Sequence, residues 1–298
     1  MKSMFGEESG NKLKSVVLMT LFIVVIGTLG AVIGLIYNNT YIGLTIAVLF
    51  SLVYSFIAYF AADQAILGLS GAKPVTKKEY PYLYNTIEGL AVAAGMPTPK
   101  AYVIDDSALN AFSTGRDPKH ASIAVTSGLL KTMNRQELEG VIGHEMSHIK
   151  NFDIRFMMLT AVLVGIVTLL SDFLLRSFLW GGKNRNRERG GQIQLILIVA
   201  GLALAILSPL IGTLVQLAIS RRREFAADAG SAILTRYPPG LAGALKKIAK
   251  DPDPLVDTAN KATAHLFISS PFRKDGFVTG LFSTHPPIPE RIKRLEEM

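Results

Sequence analysis

The chain contains no cysteine. Disulfides and thiolate metal sites are therefore excluded, and any bound metal must be held by His, Asp or Glu. Histidine is scarce too, with five in 298 residues. Charge is missing over a long interval: no Asp, Glu, Lys or Arg occurs between Lys14 and Asp63. Two apolar stretches fill that gap, residues 16–37 and 42–62. Each is long enough to cross a ~30 Å hydrocarbon core at about 1.5 Å per residue. Asn38-Asn39-Thr40 between them reads as a short polar turn, and the two stretches read as a membrane hairpin. The first apolar stretch is too long for the core of a cleaved signal peptide, and no small-residue cleavage pattern precedes a polar start, so a retained span is expected. The three polar residues also match a glycosylation sequon; a tight turn pressed against a membrane is the preferred reading.

Mean hydropathy is +0.34 and the net charge is +8. In a membrane protein, excess Lys and Arg points to orientation and to contact with anionic lipid. No nucleic-acid-binding motif is present, so no nucleic-acid partner is expected. A third apolar run covers 156–171 and, tolerating Asp172 and Arg176 as an i,i+4 pair, extends to 180. A fourth covers 192–220, with Pro209 as its expected kink. Four membrane-associated helices follow. The chain then divides into an N-terminal hairpin (1–62), a polar catalytic region (63–155), a second hairpin (156–219) and a C-terminal region (220–298).

The polar region mixes helix and strand. Residues 79–94 have helical spacing of Leu83, Ile87, Leu90 and Ala91, and Gly95 and Pro97 stop them. Residues 101–104 and 122–126 read as strands, with a further short strand at 111–114 before a turn at 115–118. After the fourth run, Arg221-Arg222-Arg223 reads as an interfacial charge cluster. Helical patterns follow over 224–236, 240–250 and 286–297. The expected fold is thus a mainly α membrane protein with a small α+β domain.

The chemistry concentrates in GHEMSHI, residues 143–149. Asn134 is a good N-cap and Glu137 sits at N3, close to a capping box. Met133 and Leu138 can form the hydrophobic staple. Leu138, Val141, Ile142, Met146 and Ile149 supply an apolar face, so the motif lies on a helix. With only Gly140 and Gly143 as weak points, that helix is expected to run on into the third apolar run. The i,i+4 spacing puts His144 and His148 one turn apart, where both imidazoles reach one ion. Glu145 reaches a water on that ion. Zinc lowers the water's pKa towards ~7, and the carboxylate takes its proton as the water attacks a carbonyl. The bland alternative is a solvated helix face, which needs no further ligand.

A catalytic zinc ion usually keeps three protein ligands and one open position. The best third ligand lies in RRREFAADAG, where Glu224 and Asp228 are again i,i+4. One ligates while the other accepts the remaining N–H of a ligand histidine; Glu224 is assigned as the ligand and Asp228 as the partner. His148 and Glu224 must then share a side of the membrane. Two apolar runs lie between them, so the parity works. Phe156 follows His148 by only about 12 Å of helix, so the site is expected just above the membrane surface. The loop 181–191 resists this picture. Its Lys183, Arg185, Arg187 and Arg189 would face outward, against the positive-inside tendency. Either the third and fourth runs form a shallow or re-entrant pair, or the tendency fails here.

Taken together, VIGHEMSHIKNFD, SRRREFAADAGSA, NAFSTG at 110–115, STHPPIPERI at 283–292 and YPYLYNTIEGLAVAAGMPTPKAYVIDD resemble the HtpX-type membrane zinc metalloproteases, relatives of the CAAX prenyl proteases. The match runs in order along nearly the whole chain. The resemblance implies one Zn2+ held by His144, His148 and Glu224, with Glu145 as general base. It implies a gluzincin-like catalytic domain facing the cytosol from the cell membrane, acting on misfolded or damaged membrane proteins. It further implies that Asn110 and His285 contact the substrate or its developing oxyanion; read alone, they are a turn residue and a loop histidine. An edge strand near Asn110 would take an extended peptide by strand addition. His120 and His265 read as structural or solvated. Two rival readings remain. One is cleavage within the bilayer, which the polar flank Glu137, Glu139, Lys150, Asn151, Asp153 and Arg155 argues against. The other is a non-enzymatic scaffold whose zinc is closed by a fourth ligand, for which His285 is the candidate.

Overall fold

The structure, a computed structural model, describes residues 4–36, 38–163, 221–251, 266–269 and 286–298. The chain forms two compact units. One comprises Met1–Leu13, Ala61–Met158 and Ala218–Met298; the other comprises Lys14–Phe60 and Leu159–Leu217.

Helix α1 (Met4–Ile36) and helix α2 (Thr40–Leu69) are joined at Asn38, whose φ of 56° is left-handed. Asn tolerates that region better than most residues. Within these helices, Ser9–Ala31 and Thr40–Leu69 are long and apolar enough to cross a membrane. Glycine sets their approach: a Cβ on Gly30 would collide with that of Ala47, and one on Gly43 with the carbonyl oxygen of Gly30. The large side chains Val53, Phe56 and Ile57 are exposed. Of the second expected pair of membrane helices, residues 153–163 are described and helical. The remainder of the runs 156–180 and 192–220, with Pro209 and the loop 181–191, lies outside the described residues.

The other unit holds a four-stranded sheet. Its strands are β1 (Ala72–Pro74), β2 (Lys100–Ile104), β3 (Ala111–Gly115) and β4 (Ala121–Thr126), in the order β1-β2-β4-β3. β2 and β4 are parallel, and the two outer pairings are antiparallel. The three strands expected from sequence are present. β1 was not foreseen: it is three residues long and ends in a proline, which only an edge strand tolerates. Helix α3 (Pro81–Ala94) starts two residues later than expected, because Pro81 suits the first helical turn, and it ends on left-handed Gly95 with φ 66°. A short unanticipated helix, α4 (Ser127–Thr132), starts where the Thr126 hydroxyl accepts from the Leu129 N–H.

Helix α5 (Arg135–Lys150) carries the motif. Its capping box is complete, with Glu137 N–H donating to Asn134 at 3.0 Å and Asn134 N–H donating to Glu137 at 2.8 Å. The expectation that it continues into the next apolar run fails. It stops at Lys150, Phe152 takes a left-handed φ of 59°, and helix resumes at 153. No Gly or Pro marks this break. It is held instead by cations over the Phe152 ring, Lys12 Nζ at 4.3 Å and Arg155 at 4.9 Å. Helices α6 (Arg221–Thr235), α7 (Pro238–Ala249) and α8 (Ile288–Glu296) follow among the described residues of the unit. Leu138, Val141 and Ile142 of α5 share one core with Leu83 and Ile87 of α3, Ile123 and Val125 of β4, and Leu241 and Leu245 of α7. Each fully buried side chain of this kind contributes roughly 1.5–3 kcal/mol. α6 lies close on α5: a Cβ on Gly230 would collide with Ser147, and Ser231 Oγ donates to the Gly140 carbonyl at 2.6 Å.

Candidate metal centre

The close packing of α5 and α6 brings polar atoms together in a buried place. His144 Nε2 and His148 Nε2 lie 3.2 Å apart. Glu224 approaches them with Oε2 at 3.7 Å from His144 Nε2 and Oε1 at 3.5 Å from His148 Nε2. These donor atoms lie within 4.8 Å of one another, and all three residues are buried. A tetrahedral ion with ligands at ~2.0–2.1 Å has ligand–ligand edges of about 3.4 Å. The observed separations bracket that value.

Each imidazole is turned by a carboxylate on its other nitrogen. His144 Nδ1 lies 2.9 Å from Asp228 Oδ1, and His148 Nδ1 lies 3.0 Å from Asp153 Oδ2. A donated Nδ1–H fixes the tautomer and leaves both Nε2 lone pairs for the centre. Asp228 is in turn gripped at both oxygens by Arg291, whose Nε donates at 2.9 Å and Nη2 at 2.7 Å. Arg291 is 0% exposed, and its Nη1 also donates to the Ile268 carbonyl at 3.0 Å. Glu145 follows His144 on α5, and its Oε2 accepts from Ser113 Oγ of β3 at 2.6 Å.

The electrostatics call for a cation. Glu145, Asp153, Glu224 and Asp228 are buried carboxylates, against the buried guanidiniums of Arg223 and Arg291. Among the described residues of the centre, acidic side chains outnumber guanidiniums, an arrangement that favours a cation. Burial alone would pull the His148 imidazole down. Its hydrogen bonds to Asp153 and Glu224 and their charges outweigh this and push it up to about 10, so without metal a proton takes part of the cation's place. Burial likewise works to raise Asp228, but the Arg291 charge and the His144 hydrogen bond hold it below the usual carboxylate range. Arg291 resists the downward pull of burial because Asp228 holds its proton. Two imidazoles and a carboxylate, with no thiolate, form a donor set that zinc accepts.

Of the residues singled out from sequence, His144, Glu145, His148, Glu224 and Asp228 are thus gathered in one place. Asn110 is buried, with Nδ2 donating to the Ser269 carbonyl at 3.0 Å. His120 is half-exposed and paired with Asp117 at 2.7 Å. His265 and His285 lie outside the described residues. The sequence reading gave no role to Ser113, Asp153 or Arg291. Ser113 and Arg291 sit inside the quoted stretches NAFSTG and STHPPIPERI. Asp153 lies five residues after His148, a spacing that an unbroken helix would carry off the histidine's face.

A family model for peptidase family M48 matches residues 77–298. The chain belongs to peptidase family M48. It is similar to a "Protease HtpX homolog" of Dictyoglomus turgidum, 49% identical over 257 residues, which cover 86% of this chain and 82% of that one. A second, of Thermoanaerobacter pseudethanolicus, is 44% identical over 298 residues, covering 100% and 98%. The fold is similar to that of S. mikatae Ste24p in its crystal structure, with a TM-score of 0.54 and 21% identity over 96% of this chain and 66% of that one. The HtpX-type resemblance read from the motifs is therefore borne out, and the M48 chain is a metalloprotease.

Proposed function

We propose that this M48 chain is an integral membrane zinc endopeptidase that hydrolyses polypeptides at a centre just outside the bilayer. The observation that carries the proposal is the convergence of His144, His148 and Glu224 on one buried point, beside Glu145. When bound, the ion would polarise the scissile carbonyl and acidify water at the centre. The chain's own groups do the rest. Ser113 holds the Glu145 carboxylate on one oxygen. Glu145 takes the proton of the attacking water and returns it to the leaving amine. Asp228 and Asp153 keep both imidazoles in the ligating orientation, and Arg291 keeps Asp228 ionised.

The sheet supplies a place for substrate. Among the described strands β3 ends the order, beyond its single bridge from Phe112 to Phe267, and its residue Ser113 contacts Glu145, so an extended peptide laid along this edge would pass the base. The start of the edge is paired with the chain's own segment, through Ile268 N–H donating to the Ala111 carbonyl at 2.9 Å. Asn110 braces that pairing through Ser269, which is its part in substrate placement; the substrate or oxyanion contact assigned to His285 rests on the resemblance. The apolar helices α1 and α2 would cross the cell membrane, with the centre on its cytoplasmic side. Misfolded or damaged membrane proteins are then the natural substrates.

The test is Glu145→Gln in the full chain. Hydrolysis of an unfolded polypeptide should fall by roughly 10²–10⁴-fold while zinc stays bound. Undiminished hydrolysis would sink the proposal.

A further inference from the structure

We infer that Asn11, in the first turns of α1, is a positioning residue of the metal centre. This rests on the reading that His148 is a metal ligand. Asn11 is 1% exposed although it lies near the start of an apolar helix. Its Nδ2 donates to Asp153 Oδ1 at 2.7 Å and to the Asn151 carbonyl at 2.9 Å. The opposite oxygen of the same Asp153 carboxylate faces His148 Nδ1 at 3.0 Å. A three-residue line therefore runs from the N-terminal helix through Asp153 to the imidazole.

The line has a definite task. Asp153 stands just past the break in α5, where Phe152 is left-handed, and its carboxylate has rotational freedom about a terminal sp³–sp² torsion. Arg223 Nη1 lies 3.7 Å from Oδ1, which supplies charge but not a direct hydrogen bond. Asn11 supplies the hydrogen bond on that oxygen, and at the same time ties down the Asn151 carbonyl on the other side of the break. With Oδ1 so held, Oδ2 points to His148. The adjacent Lys12 clamps the same turn from above the Phe152 ring. An apolar side chain at position 11 would leave the buried Asp153 oxygen and the half-buried Asn151 carbonyl without this donor, a situation buried polar groups avoid.

Zinc affinity of the full chain in detergent, measured by competition with a chelator of known affinity, tests this. Asn11→Ala should weaken zinc binding about tenfold, the lower end of what removing an outer hydrogen-bond partner costs. Asn11→Asp has the same shape but presents a carboxylate to a carboxylate, and should weaken it further. In an Asp153→Ala background, Asn11→Ala should add nothing. Zinc affinity within twofold of native in Asn11→Asp would overturn the inference, since that variant retains the packing. So would an equal loss from Asn11→Ala with and without Asp153, because a purely structural role is additive. If instead His148→Ala bound zinc as tightly as the native chain, the metal-centre reading itself would fall and the role of Asn11 with it.

Discussion

Two helix pairs in this molecule use the same packing device for opposite ends. In the α1–α2 hairpin, Gly30 and Gly43 let two backbones approach until no Cβ fits between them. In the α5–α6 pair, Gly143 and Gly230 do the same: a Cβ on Gly143 would stand 2.9 Å from Ser231 Oγ. Between Lys14 and Asp63 the hairpin has no Asp, Glu, Lys, Arg or His for this approach to gather. It turns Val53, Phe56 and Ile57 outward, which is how a helix pair behaves when its solvent is hydrocarbon. The α5–α6 pair turns its apolar residues into a core and spends the close approach on histidines and carboxylates. Small residues therefore fix distance only. What is placed beside them decides whether that distance serves insertion or ligation.

Several variants break or sharpen this comparison. Arg291→Met leaves Asp228 buried without its cation, at a cost of about 3–5 kcal/mol, and should strip zinc from the chain. Chemical unfolding and metal analysis read both effects, and the hairpin has no charged residue between Lys14 and Asp63 that could respond in this way. Phe56→Arg, at a side chain 65% exposed, should cost ~2.5–3.5 kcal/mol of membrane insertion. Quantifying the inserted fraction in membranes checks this, because the same change on a water-facing surface would be close to neutral. Gly230→Val pushes α6 off Ser147 and should cost roughly 1–3 kcal/mol together with weaker zinc binding. Gly30→Val should cost a similar amount while zinc affinity is kept; parallel zinc titrations of the two variants would show whether the pairs are separate in this respect.

A pH dependence supplies a further test. His148 is raised in the folded, metal-free protein from 6.5 to about 10. Its contribution to stability is then fully present below about 6.5 and is lost as pH rises through about 10. The stability difference between the metal-free native chain and His148→Gln should shrink over that interval. A difference that grows with pH would contradict the assigned environment. The hairpin adds no carboxylate, lysine, arginine or histidine between Lys14 and Asp63 to mask the trend.

Much of this was legible in the sequence, for physical reasons that differ between the two pairs. The hairpin shows itself through length and missing charge. The α5 motif shows itself because two ligands one turn apart need only a helix, and the Asn134–Glu137 box announces where that helix starts. Glu224 and Asp228 could be nominated because i,i+4 spacing on a helix is again local. What escaped depended on contacts between segments distant in the chain. Arg291 reaches Asp228 across 63 residues, and Ser113 reaches Glu145 across 32. The break after Lys150 escaped because aromatic–cation contacts and a left-handed Phe152, rather than Gly or Pro, produce it. Without that break Asp153 has no route to His148.

Zinc X-ray absorption of the intact chain, after it has been loaded with one equivalent, tests the shared ion most directly. Two imidazole nitrogens at ~2.0–2.1 Å and one carboxylate should be found, with one imidazole lost in His148→Ala and the carboxylate lost in Glu224→Ala. A spectrum with fewer than two imidazoles, or one unchanged by both substitutions, would mean that His144, His148 and Glu224 do not hold the ion.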